Sequence, residues 1–159
     1  MSTPIGGPIG YSPRNVDIDA INRTGATLAI GDVLQLDLAQ SDGDVSNNTQ
    51  GDENSGLANL ILPAAATAGR LLVVALATTA NDGKGKFRLK GRCKCNVLNS
   101  DTGTIGGGMT VTTAGLFDAT IVAGEVVWGF FLEVTGALDT ELNLDCIFDG
   151  ENGFGIRHA

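Results

Sequence analysis

The sequence predicts an all-β fold: a compact β-sandwich or small barrel built from two similar units of short strands, with an extended N-terminal arm. Three observations lead there. Glycine is abundant, at 23 of 159 residues, while aromatic residues make up only 5%, a balance suited to short strands joined by tight turns. Apolar residues recur with period two or in short continuous runs rather than at helical spacing. Turn dipeptides such as Asp82-Gly83 punctuate those runs. No stretch supports a helix of three turns.

Residues 1–15 carry three of the four prolines (Pro4, Pro8 and Pro13). Proline fixes φ and removes a backbone donor, so this segment reads as an extended arm that orders against a neighbour. Residues 22–32 contain turn chemistry at Thr24-Gly25 and Gly31-Asp32, and a strand follows from Val33 to Leu38. There Leu34, Leu36 and Leu38 share one face, and Gln35 and Asp37 the other. Residues 41–56 form a polar, acidic loop. Residues 57–63 fit either a short strand or one helical turn. Residues 71–79, a continuous Leu- and Val-rich run, read as a strand buried on both faces. Further strands are expected at 84–97, 109–113, 125–134 and 139–148. The division that results is an arm (1–15), one all-β domain (16–150) and a C-terminal tail (151–159).

The second half resembles the first. The segment from Gly69 lies on the segment from Gly124 without a gap, at an offset of 55 (124 − 69). Leu71, Leu72 and Val73 then fall on Val126, Val127 and Trp128. Ala29–Val33 resembles Thr104–Gly108 at an offset of 75 (104 − 29). These matches define a possible internal repeat, residues 22–97 and 101–148. A single such unit could not bury its own apolar face, so two would combine.

The most informative segment alternates charge. Lys84, Lys86, Arg88, Lys90, Arg92 and Lys94 occupy every even position, with Gly85, Phe87, Leu89, Gly91 and Cys93 between them. On a strand this makes one wholly basic face. Six of the ten basic residues lie there, in a chain of net charge −8. Like charges ~7 Å apart lie within the ~8 Å screening length and repel unless anions compensate. In the gapless alignment Asp139, Glu141 and Asp145 take the places of Lys84, Lys86 and Lys90. The expectation is a complementary seam within the subunit, between subunits, or against an acidic partner.

Other features exclude function classes. An acidic chain with pI about 4.4 is a poor ligand for polyanions, and no partnership with nucleic acid is expected. No residues are expected to be catalytic, to bind a cofactor or to ligate a metal: the one histidine, His158, stands in the tail, so no nucleophile–base pair assembles. Gly103–Gly108 lacks the strand and helix context of a phosphate cradle. Cys93, Cys95 and Cys146 read as small buried residues with free thiols. The N-terminus has no signal-peptide pattern, and Pro63 and Arg70 interrupt the most apolar window, so no membrane partnership is expected.

The run Asn22-Arg23-Thr24-Gly25-Ala26-Thr27-Leu28-Ala29-Ile30-Gly31-Asp32-Val33 resembles the opening of the capsid decoration (cement) proteins of tailed bacteriophages. In those, an N-x-[ST]-G-A-x-I-x-x-G-D-V stretch precedes an apolar strand. The order of segments is followed over about residues 20–148. Gly107-Gly108 and the long 41–56 loop depart from the pattern. The resemblance implies a structural virion protein, made in the host cytoplasm, that sits on the capsid exterior and stabilises the shell. Its implied partners are the major capsid protein and itself, as a homotrimer. The candidate interface comprises the basic stripe with Asp139, Glu141 and Asp145, read from the charge alternation, and Pro4, Pro8 and Tyr11 of the arm. A β-sandwich binding module, of phage-fibre or adhesin type with a glycan or protein ligand, is the alternative. It would need exposed aromatics, and the single Trp128 and Tyr11 are poorly placed to supply them.

Overall fold

A computed structural model describes residues 14–37, 57–64, 71–99, 105–133 and 140–155. Among the described residues there are nine strands and no helix. The strands are β1 (Val16–Asn22), β2 (Val33–Leu36), β3 (Ala58–Ile61), β4 (Leu72–Ala75), β5 (Lys84–Asn99), β6 (Gly108–Val111), β7 (Phe117–Asp118), β8 (Gly129–Phe131) and β9 (Thr140–Asp149).

All nine belong to one mixed sheet that closes on itself twice. In the first ring β1 pairs in parallel with β3, β3 with β2, β2 with β4, β4 with β5, and β5 returns to β1. In the second, β5 pairs in parallel with β7, β7 with β6, β6 with β8, β8 with β9, and β9 returns to β5. Each ring thus has the same sequence of parallel and antiparallel neighbours. Closure leaves neither ring an open edge, which removes the hazard of unpaired strand backbone. The fold is two small barrels sharing one long strand rather than a sandwich.

β5 can serve both rings because it is 16 residues long. Its first part, Lys84–Lys90, lies against β1, and Lys90–Asn99 lies against β9. The change of partner falls at Gly91, whose φ is +121°, a conformation that side chains disfavour. A Cβ there would meet Asn15, whose side-chain oxygen accepts the Arg92 N–H. Asn15, at the end of the predicted arm, thereby ties the chain entry to the kink.

The rings have separate cores. Ala20, Leu28, Leu34, Leu60, Val73, Ala75 and Phe87 fill the first. The second is built around Cys95, Val97, Met109, Phe117, Phe131, Cys146 and Phe148. β2 and β4 feed both: Leu34, Val73 and Ala75 point into the first, while Val33, Leu72 and Val74 join the second. This is why residues 72–75 are continuously apolar and wholly buried, as expected of a strand covered on both faces. Burying each such side chain contributes about 1.5–3 kcal/mol, so this strand welds the rings together.

The sequence reading missed β1 and β7. Residues 58–61, open between strand and helical turn, are the strand β3. The predicted 125–134 strand is shorter, with only residues 129–131 in β8. The loop at 41–56 and Pro4, Pro8, Tyr11 and His158 lie outside the described residues.

Candidate interaction surface

The Asn22–Val33 motif is structural. Asn22 is fully buried. Its amide nitrogen donates to the carbonyls of Ala26, Thr79 and Ala80, and its oxygen accepts from the Thr24 N–H and hydroxyl. A short side chain with both donors and an acceptor is what such a turn requires. Gly31 and Asp32 attach the first ring to the second. The Gly31 carbonyl accepts the Asn96 N–H at 2.8 Å. Asp32 accepts the Asn96 amide at 2.6 Å and the Ala29 N–H at 2.7 Å. The Ile30 carbonyl accepts the Asn143 amide at 2.9 Å.

The basic stripe lies along β5, the strand common to both rings, with its even positions outward. Lys84, Lys86 and Arg92 are exposed, while Phe87, Cys93 and Cys95 are buried. Neighbouring strands bring acids alongside it. Register sets Asp19 opposite Lys86 and Asp17 opposite Arg88 on β1, and Asp149 opposite Lys90 and Asp145 opposite Lys94 on β9. The resulting ion pairs are Lys86–Asp19 at 3.8 Å, Arg88–Asp17 at 2.5 Å, Lys90–Asp149 at 2.7 Å and Arg92–Asp145 at 2.9 Å. Lys94 reaches Asp145 at 3.2 Å and Glu133 at 3.5 Å. Arg88 also donates to the Arg92 carbonyl.

These pairs are unequal. Lys86 and Asp19 are both well exposed, and water and salt leave such a pair nearly neutral in energy. Arg88 is buried and Asp149 is only 5% exposed, so losing either partner would strand a charge. Hydrogen bonds from Arg92 and Lys94 hold the Asp145 carboxyl below its ordinary range. For Asp149 burial works against the charged form, but Lys90 and the N–H groups of Asn152 and Glu151 outweigh it, and its pKa is also lowered. The hydrogen bond with Asp145 raises Lys94.

Of the predicted interface residues, the structure brings Lys86, Arg88, Lys90, Arg92, Lys94 and Asp145 into this seam, within the subunit. Lys84 makes no ion pair among the described residues. Glu141 pairs by its backbone with Leu98, its side chain lying outside the description, as does Asp139. Asp17, Asp19, Glu133 and Asp149 were missed. Asp17 and Asp19 had a signal, the alternation Val16-Asp17-Ile18-Asp19-Ala20.

The three cysteines are free and buried, in the interior of the second ring. Cys93 Sγ and Cys95 Sγ lie 3.7 Å apart on one face of β5, and Cys146 pairs across with Cys93. Burial pushes the Cys95 thiol well up, which keeps it protonated and unreactive. Among the described residues no group of His, Cys, Asp or Glu side chains could hold a metal ion.

No family model matches the chain, and no curated protein does. A solved structure does: the N base of the head fibre protein gp8.5 of bacteriophage phi29. It aligns with a TM-score of 0.52 and 12% identity, over 87% of this chain and 97% of that one. At that identity the likeness is one of fold.

Proposed function

We propose that this chain is a structural virion protein carried on the outside of a tailed-phage capsid. It binds the major capsid protein and further copies of itself, as a homotrimer, and strengthens the shell by those contacts. It has no catalytic role and no cofactor, and it is made in the host cytoplasm. The observation that carries this reading is the fold shared with a phage head-fibre base across nearly the whole of both chains. The cement-protein motif supports it, because Asn22, Thr24, Gly31 and Asp32 each have a defined part in building and joining the rings.

The charge seam supports a refinement. Five acids (Asp17, Asp19, Glu133, Asp145 and Asp149) stand against six basic residues, so β5 offers little free positive charge to a polyanion. The stripe's main task is then to hold β1, β5 and β9 in register, with exposed Lys84 and Lys86 left for a partner.

The fibre reading shares the particle and is favoured by the same neighbour. For its glycan-binding version the described residues offer Phe154 as the large exposed aromatic, while Trp128 is buried.

The test is to purify particles by density gradient from cells in which the gene is intact or deleted. Quantitative mass spectrometry should find the chain in fixed ratio to the major capsid protein. Shells from the deletion should open at lower temperature and recover when purified protein is added. A chain absent from intact particles would refute the proposal.

A further inference from the structure

The chain contains one Asn-Gly step, Asn152-Gly153, in the turn that follows β9. Asparagine is thermally labile, most of all before glycine, where no side chain shields the next backbone nitrogen from the asparagine's own amide carbon. Asn152 is exposed, and its side-chain amide makes no hydrogen bond among the described residues. The Asp-Gly steps among the described residues are better guarded. Asp82 has both carboxyl oxygens occupied, by Arg23 at 2.6 Å and Asn81 at 2.9 Å. Asp149 is only 5% exposed and pairs with Lys90 at 2.7 Å.

The fold demands glycine at 153. Its φ is +61°, in the region that side chains disfavour. A Cβ there would lie 2.6 Å from Val126 Cγ1 and 3.0 Å from the Val127 carbonyl oxygen. The turn also holds the labile step closed. Asp149 Oδ1 accepts the N–H groups of Glu151 at 3.1 Å and Asn152 at 3.2 Å, as a capping carboxylate does. The Gly153 N–H belongs to the nitrogen that would attack, and it donates to the Asp149 carbonyl at 3.1 Å. Beyond it, the Phe154 N–H donates to Val127 at 2.7 Å, and the Val127 N–H to Gly155 at 2.8 Å. Attack therefore requires the turn to open locally.

We propose that Asn152 is a site of spontaneous modification whose rate is set by Asp149. When the turn opens, the Gly153 nitrogen gives up its proton and bonds to Asn152 Cγ. The Cγ–Nδ2 bond breaks and ammonia leaves with that proton, closing a cyclic imide. Water then opens the imide at either carbonyl, leaving aspartate or isoaspartate. No oxidant or reductant takes part. Either product adds a negative charge beside Asp149 and Glu151, and isoaspartate also lengthens the backbone by one carbon. The change loosens the 153–155 segment and, with it, the edge-on contact between Phe154 and Phe130, whose centroids lie 4.8 Å apart. The protein thus carries a slow, one-way change of charge on its second ring, and the site needs no partner.

Incubating the full chain at mildly alkaline pH, where the glycine nitrogen loses its proton more readily, tests this. Isoelectric focusing follows the added charge and mass-spectrometric peptide mapping assigns it, with the same chain in urea as the open reference. Asn152 should convert in the folded protein, about tenfold or more slowly than in urea. Asp149→Ala should bring the folded rate towards the urea rate. Asp149→Ser, whose hydroxyl can still accept the turn's N–H groups, should fall between. Asn152→Ser should abolish the change in that peptide. If Asp149→Ala fails to fold, Asp149→Ser and the comparison of folded with unfolded wild type decide the matter. Asn152 left intact in the folded protein over many half-lives of the urea reaction would overturn the proposal. So would equal rates folded and in urea, or folded Asp149 variants that convert no faster than the wild type.

Discussion

Replacing Gly31 and Gly106 by alanine, separately, isolates the contact that joins the two rings. Both residues sit at positive φ, so both variants incur a similar backbone cost, about 1–2 kcal/mol. The surroundings differ. A Cβ on Gly106 meets nothing within 4 Å, whereas one on Gly31 lies 2.6 Å from the Asn143 amide nitrogen and 2.7 Å from the Asn96 backbone nitrogen. The clash is partly with backbone, so the Gly31 turn must lift away from β5 and β9. Overpacking of that kind costs about 1–3 kcal/mol, and weakening the bonds at Asn96 and Asn143 adds about 0.5–1.5 kcal/mol each. Gly31→Ala should therefore be less stable than Gly106→Ala by roughly 2–6 kcal/mol. Urea unfolding followed by Trp128 fluorescence measures both. Equal losses, within about 0.5 kcal/mol, would refute the account of how the rings are joined.

Other consequences concern the turn, the seam and the thiols. Asn22→Ala should cost about 3 kcal/mol or more, since it leaves buried backbone groups without partners, and urea unfolding checks it. Lys90→Ala should cost about 1–2 kcal/mol by stranding a carboxylate, while Lys86→Ala changes stability by less than about 0.5 kcal/mol; equal effects would mean that burial does not rank these pairs. The folded-state pKa values of Asp145 and Asp149 are lowered, so their contribution is present above the ordinary carboxylate pKa of about 3.9 and is lost as pH falls through the folded values. Urea midpoints should hold from neutral pH to about pH 5 and then fall, less steeply in Asp149→Asn. Thiol titration of unreduced, denatured protein should find all three cysteines free.

Much of the architecture was legible because it is local. Period-two alternation marked β5, and the continuous apolar run at 71–79 marked a strand covered on both faces. The offset of 75 between Ala29–Val33 and Thr104–Gly108 is the offset at which β2 and β6 correspond. The gapless alignment at 55 went astray for a physical reason. β4 and β8 correspond at 56, but Ala75 pairs with Phe87 as Phe131 pairs with Cys146, which places β5 on β9 at 59 (146 − 87). The β8–β9 connection is longer than the β4–β5 turn by three residues (59 − 56), a difference that periodicity cannot detect. Lys86 and Lys90 therefore match Asp145 and Asp149, not Glu141 and Asp145. The acids that meet the stripe depend on which distant strands lie beside β5, and β1 lies some seventy residues away in sequence (88 − 17 = 71). Gly107 stands where the motif has Asp. In the first ring the matching residue, Asp32, bridges to Asn96.

The place proposed for this two-barrel chain is the capsid exterior. Cryo-electron microscopy of particles from cells with and without the gene tests it most directly. The difference map should show two-lobed density on the outer face of the shell, in contact with the major capsid protein and sized for the ring pair. Identical maps, or difference density confined to the shell interior or the tail, would contradict it.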